Sequence, residues 1–212
     1  MTKISVIIPA YNEEKYLPKT LSCIQNQTFK DFEVIVVCNG CTDNSFNISK
    51  MYFEKVYNLD EKNVSKARNF GAKKANSDLL IFLDADILLG PKVLEKIISS
   101  KIKEYHYGTV KGKGKGFKNN FYLLIKNSVN KFKPWSHGLV YCSKENFFKI
   151  GGFNESLTKG ELRDFFSKIK GKYKRLNIYV SPSDRRIVNW GISKLLKFWL
   201  FEKRKKDYEA IR

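Results

Sequence analysis

Apolar runs and polar breaks alternate through the first half of the chain. "ISVII" at 4–8 is continuous and rich in β-branched residues, which predicts a strand covered on both faces. "PAYNEEKYL" interrupts it, and Pro18 suits the first turn of a helix that runs to about Gln27. "FEVIVV" at 32–37 predicts a second strand, closed by the turn "CNGCTDNS"; a short helix then leads to a third strand around 55–58. "VSKARNFGAKKA" at 64–75 reads as a helix and "LLIFL" at 79–83 as a fourth strand. Strands alternating with helices of about ten residues predict βαβ units, right-handed crossovers and an α/β fold with a mainly parallel sheet. The polar turns "PAYNEE", "CNGCTD" and "DAD" each follow an apolar strand. One parallel sheet gathers them along its carboxyl edge, where ligands of such folds bind.

The second half is less regular. Helices are predicted over 91–102, 118–130, 144–150 and 160–170, with strands at "LVYC" (139–142) and "RLNIYV" (175–180). "TVKGKGKGF" alternates lysine with glycine. As a strand it places Lys111, Lys113 and Lys115 on one face; as a loop it is flexible and basic.

Composition narrows the class. At 212 residues and 42% hydrophobic, the chain is long and apolar enough for one folded domain with its own core. No run of about 18 uncharged apolar residues is present, and "MTKISVIIPAYNEE" lacks a signal-peptide pattern, so a cytoplasmic protein is expected. Cys38 and Cys41 form a lone CxxC without a second pair or spaced histidines, which favours ordinary thiols over a zinc or redox site. The net charge of +19 predicts an anionic partner: a phosphorylated substrate, a membrane surface or nucleic acid.

Candidate chemistry centres on "IFLDADILLG". Asp84 and Asp86, at i and i+2 on the end of an extended strand, put two carboxylates on one side. Such a pair repels unless a cation neutralises it, and a hard divalent ion completed by substrate phosphates suits it. Tyr11 offers an aromatic face to a nucleobase, and Glu13 and Asn39 offer hydrogen bonds to base or ribose. Lys66 and Arg68 are cations on the predicted helix 64–75, and a guanidinium suits bidentate binding of phosphate groups. His137, beside Gly138 and an apolar strand, is a weaker candidate for contact with acceptor or phosphate.

"SVIIPAYNEEKYLPKTL", "EVIVVCNGCTDNS", "KARNFGAKKA", "LLIFLDAD" and "GGFNESL", in that order, resemble the family-2 glycosyltransferases of the GT-A fold over roughly residues 3–170. The later "VSPSDRRIVNWGI" is similar to the end of small prokaryotic members, where a Ser-x-Arg-Arg segment follows the last strand. The resemblance implies inverting transfer of a sugar from a nucleotide-sugar donor, with Mn2+ or Mg2+ at Asp84 and Asp86. It places Pro9, Ala10, Tyr11, Glu13, Asn39, Lys66, Arg68, Asp84 and Ala85 in the donor pocket. Asn39 stands where many relatives carry Asp. The family's catalytic base, the Asp of a Glu-Asp pair after "GGF", is replaced here by Leu162 in "TKGELRDFF". Glu161 and Asp164, three apart on one helix face, are the carboxylates left for that role.

The expected organisation is a GT-A domain over 1–183 and a basic amphipathic helical segment over 184–212. In that segment Val188, Ile192, Leu195 and Trp199 recur at helical spacing before the cations at 203–206, a pattern suited to an anionic membrane surface. The acceptor is then a glycan or a lipid-linked phosphate. Three alternatives remain: a nucleotidyltransferase, disfavoured because "PAYNEE" has no glycine; a donor-binding protein without turnover; and a nucleic-acid binder, disfavoured because no such module is recognised.

Overall fold

The computed structural model describes residues 2–100, 107–114, 116–129, 136–157, 159–169, 171–185, 188 and 191. The elements run β1 (Ile4–Ala10), α1 (Leu17–Gln25), β2 (Phe32–Asn39), α2 (Ser45–Tyr52), β3 (Val56–Leu59), α3 (Val64–Lys74), β4 (Leu79–Leu83) and β5 (Ile87–Leu89). There follow α4 (Val93–Ser99), β6 (Tyr107–Gly112), α5 (Gly116–Val129), β7 (Leu139–Ser143), α6 (Lys144–Lys149), α7 (Glu161–Lys168) and β8 (Tyr173–Pro182).

The strands form one sheet in the order β3-β2-β1-β4-β7-β6-β8-β5. The first four pair in parallel, as the βαβ pattern requires. β7 then runs antiparallel to both β4 and β6, β8 returns parallel to β6, and β5 closes the edge antiparallel to β8. Parallel pairings remain in the majority, and the reversal at β7 brings the second half of the chain against the end of β4.

Continuous apolar strands make sense because both faces of the sheet are covered. Ile4, Val6 and Ile8 of β1 join α1 on one face, while Ile7 joins α3 and the Phe147–Phe153–Phe165 group on the other. Gly71 lets α3 lie close to the sheet, since a Cβ there would collide with the Ile7 side chain. Phe153 and Phe165 stack with centroids 4.4 Å apart, which seats α7 against the second face.

Several boundaries differ from the sequence pattern. β5 has no counterpart in it, because three residues are too few to show a period. The Lys-Gly run does form a strand, but it ends at Gly112. Lys111 lies in β6, Lys113 follows it, and Lys115 lies outside the described residues. α4 is shorter than expected and β8 longer. Most of 184–212, including Ile192, Leu195 and Trp199, also lies outside the described residues. Among the described residues, no helix is long and apolar enough to cross a membrane.

Candidate active site

The turns after β1 and β2 are stitched together. Asn12 takes a left-handed conformation (φ 52°), which Asn tolerates better than most residues. Its Oδ1 accepts the Thr42 N–H at 2.8 Å and its Nδ2 donates to Thr42 Oγ1 at 3.1 Å. The Glu13 N–H donates to Ser45 Oγ at 2.8 Å, and the Glu14 N–H to Asp43 Oδ2 at 3.0 Å. These bonds aim Glu13 toward the end of β4. Asn39 is buried, with its Nδ2 donating to the Ala10 carbonyl at 2.7 Å, so it braces the two strand ends. Tyr11 is half-buried, with Lys62 Nζ 4.4 Å from its ring centroid.

Arg68 sits one turn before Gly71 on the buried side of α3. It stacks over Phe153 and is only 4% exposed. Its Nη2 donates to Asp84 Oδ1 at 2.8 Å and its Nη1 to Glu161 Oε1 at 3.0 Å. Glu161 lies one helical turn before the buried Phe165, on the same face of α7, which explains its aim. Arg185, just after β8, mirrors this arrangement. Its Nη1 donates to both Glu13 oxygens, at 3.0 and 2.9 Å, and its Nη2 lies 2.9 Å from Asp86 Oδ2. Ser183 Oγ also donates to Asp86 Oδ2, at 2.6 Å.

Among the described residues, two guanidiniums thus hold four carboxylates: Glu13, Asp84, Asp86 and Glu161. The excess of two negative charges has a cost. Burial pushes the Asp84 carboxyl upward, Arg68 pulls it back, and Asp86 and Glu161 push it up again; the net direction is upward. Burial also works against the Arg68 cation, but Asp84 and Glu161 more than offset it and raise its pKa. Asp84 Oδ2 and Asp86 Oδ1 accept no hydrogen bond from the described residues. Two uncommitted carboxylate oxygens at a site with two surplus negative charges fit a hard divalent cation whose remaining ligands come from elsewhere. Among the described residues no cluster of three or more His, Cys, Asp or Glu offers a complete cage.

The other expected residues fall outside the ion-pair cluster. Lys66 pairs with Glu61 on the exposed side of α3. Asp164 Oδ2 lies 2.6 Å from Lys168 Nζ along its own helix. Leu162 packs into the phenylalanine-rich core, so it contributes shape to α7 and no proton acceptor. Pro9 and Ala85 are buried, and the Ala85 carbonyl accepts from Thr20 Oγ1 at 2.8 Å. All four cysteines are free thiols.

Three participants lie beyond what the sequence shows residue by residue. Arg185 and Ser183 have only the "PSDRR" segment as a signal. Asn69 has none: its side chain pairs with both the N–H and the carbonyl of Phe153, tying α3 to the loop before α7.

His137 is buried, and neither ring nitrogen has a partner among the described residues. Burial, with Lys126 and Arg175 nearby, lowers its pKa to about 3. Unfolding restores an ordinary value near 6.5. The unfolded chain therefore binds this proton first, and stability falls as pH drops from about 6.5 toward 3, by up to about 1.4 kcal/mol per pH unit. His137→Leu is expected to flatten that slope, as urea midpoints measured at about pH 7 and about pH 4.5 will show. Equal slopes in both proteins contradict the assignment.

This sheet, with paired carboxylates where β4 ends and βα turns beside them, is that of the GT-A glycosyltransferases. The fold matches a solved structure of residues 1–349 of Staphylococcus aureus TarS with TM-score 0.71 and 21% identity, covering 96% of this chain and 74% of that one. It also matches the mannosyltransferase PcManGT of Pyrobaculum calidifontis in complex with GDP-Man and Mn2+, with TM-score 0.70 and 17% identity, covering 98% and 66%. The chain belongs to glycosyl transferase family 2, whose family model matches residues 5–159.

Among curated relatives, validoxylamine A glucosyltransferase of Streptomyces hygroscopicus subsp. limoneus is 35% identical over 105 residues, 46% of this chain and 23% of its own length. The poly(ribitol-phosphate) β-N-acetylglucosaminyltransferase TarP of S. aureus N315 is 34% identical over 116 residues, 51% of this chain and 33% of its own. The chain spans less than two thirds of the length of these relatives.

Proposed function

We propose that this chain transfers a sugar from a nucleotide-sugar donor to an acceptor hydroxyl, with inversion at the anomeric carbon. The observation that carries the reading is the double ion-pair cluster, in which Arg68 and Arg185 hold Glu13, Asp84, Asp86 and Glu161 at the carboxyl end of the sheet. Complexes of similar folds, with UDP-GlcNAc and with GDP-Man and Mn2+, support a nucleotide-sugar donor. The activity of TarP on poly(ribitol-phosphate) supports a phosphate-rich polyol or glycan acceptor.

Asp84 and Asp86 would hold Mn2+ or Mg2+ through their uncommitted oxygens. Such an ion supplies charge stabilisation to a departing nucleoside diphosphate. The protein's own groups do the rest. Tyr11 offers its ring to the nucleobase, and the stitched turns keep that ring in place. Arg185 exchanges its carboxylate partners for diphosphate oxygens, while Arg68 keeps its bonds to Asp84 and Glu161. Glu161 Oε1 stays on Arg68, while Oε2, which accepts no hydrogen bond from the described residues, takes the acceptor's proton. Arg68 fixes that carboxylate relative to Asp84, so the acceptor hydroxyl and the leaving diphosphate are aligned through one side chain.

Glu161→Gln keeps the shape and the Arg68 contact but removes the base. It is expected to leave donor binding intact and to slow transfer by about a hundred-fold or more. Donor titration and initial rates on the same preparation check this. Full transfer in both Glu161→Gln and Asp164→Asn contradicts a base on α7.

A further inference from the structure

A second cavity lies away from the carboxylate cluster. α5 crosses the outer strands and leaves a cleft of about 940 Å3 against β6 and β8. Its walls carry Lys111, Lys113, Lys174 and Arg175, together with Tyr173 and Tyr179, and among the described residues no acidic side chain lines it.

The alternation of lysine and glycine explains how the cleft is built. A Cβ on Gly112 would come within 2.8 Å of the buried His137 ring. A Cβ on Gly114 would come within 2.5 Å of the Asn119 and Asn120 backbone in α5. The glycines thus sit where the chain presses against its neighbours, and the intervening lysines line the cavity. Beyond Thr109, β6 has no registered partner in β7 among the described residues. The Asn127 side chain of α5 takes over: it accepts the Gly112 N–H at 3.3 Å and donates to the Gly112 carbonyl at 2.7 Å. Arg175 Nη2 donates to the Asn127 carbonyl at 2.7 Å and fixes the end of α5. The cleft is therefore a braced feature of the fold.

One of the strands that line it, β8, runs on toward the carboxylate cluster. Lys111 pairs in register with Tyr179 and Gly112 with Val180, and the Lys113 N–H donates to the Val180 carbonyl. Four residues beyond Tyr179, Ser183 bonds Asp86. Four extended residues span only about 13 Å. His137, packed against Gly112, precedes Gly138, whose carbonyl accepts the Asp84 N–H at 2.8 Å.

We propose that this cleft is the acceptor subsite and takes a phosphate-bearing polyol or glycan chain, whose terminal hydroxyl is presented to Glu161. The proposal rests on the transferase reading above. Lysine ammonium groups are point charges without a fixed fork, so they tolerate phosphates at several registers as a chain slides. Tyr179, which is exposed, offers an apolar ring face to the carbon skeleton between phosphates. Position favours an acceptor over nucleic acid, because the strand that lines the cleft runs on to Ser183, which bonds Asp86 at the reaction centre.

The test uses the full chain and the double variant Lys111→Glu/Lys113→Glu. A fluorescent glycerol-phosphate oligomer and a single-stranded DNA with the same number of phosphates are titrated at several salt concentrations. Calorimetry with UDP- and GDP-linked sugars reads donor binding in parallel. The expected result is oligomer binding that weakens about ten-fold or more in the variant. The slope of log affinity against log salt should also become shallower in the variant, with donor binding unchanged. Equal oligomer affinity in both proteins overturns the proposal, as does tighter binding of the DNA than of the oligomer. Donor binding without oligomer binding defeats the acceptor subsite alone, whereas absence of donor binding defeats the transferase reading itself.

Discussion

Asp86→Asn is expected to lower kcat/KM for sugar transfer by about a thousand-fold while the protein stays folded. Asparagine matches aspartate in shape, and its carbonyl oxygen can still accept from Ser183 or Arg185, which now meet at Oδ2 at 2.6 and 2.9 Å. What disappears is a charge. Arg185 then faces Glu13 alone, and the cluster loses one of its two uncommitted anionic oxygens. Loss of several kcal/mol of charge stabilisation in the transition state corresponds to about three powers of ten in rate. Initial rates, paired with a thermal midpoint within a few degrees of the parent, check the claim. A rate within about ten-fold of the parent at an unchanged midpoint contradicts it.

Arg68→Leu is expected to be the most destabilising single change at the site. Arg68 is 4% exposed and makes both of its ion pairs with carboxylates at the sheet edge. Leucine fills part of the volume but strands Asp84 and Glu161 without a counter-charge. Breaking a buried pair by removing one partner costs about 3–5 kcal/mol. Glu161 is 16% exposed and Asp84 is 39% exposed, so water relieves part of this and the lower end applies. For a chain of this size each kcal/mol moves the melting point by about 2–4 °C, so a fall on the order of 10 °C is expected. Differential scanning calorimetry measures it. Adding Asp84→Asn and Glu161→Gln to Arg68→Leu should recover most of the loss, because no orphaned charge then remains. Failure of that rescue would show that Arg68 matters through packing on Phe153 instead.

The parallel half of the sheet is legible in the sequence because its signal is local. β1, β2 and β4 are runs of apolar residues buried on both faces, and each ends in a polar turn. The shared edge that gathers Glu13, Asp84 and Asp86 follows from that topology alone. The antiparallel half is less legible for a physical reason. β5 has three residues, and the order β7-β6-β8-β5 is set by long-range pairing that no periodicity encodes. Arg185 shows the same limit at the site, since it meets Glu13 172 positions away in sequence.

Individual side chains divide in the same manner. Arg68 is legible as a cation on a helix beside the site, but its double grip on Asp84 and Glu161 depends on Phe165 seating α7. Lys66, two residues earlier, faces the other way and pairs with Glu61, as helical geometry dictates for neighbours at i and i+2. Asn39, a candidate for contact with base or ribose, gives its amide N–H to the Ala10 carbonyl, a partner that the sequence does not reveal. Leu162 is legible as a missing carboxylate, and its place in the apolar core shows why a leucine is tolerated there.

The most direct test of the account is a calorimetric titration of UDP- and GDP-linked sugars into the protein, with and without Mn2+, repeated on Asp84→Asn/Asp86→Asn. The expected result is that one donor class binds, that Mn2+ tightens it, and that the double substitution abolishes the tightening. Donor binding indifferent to both Mn2+ and the substitutions, or no binding of either class, would contradict it.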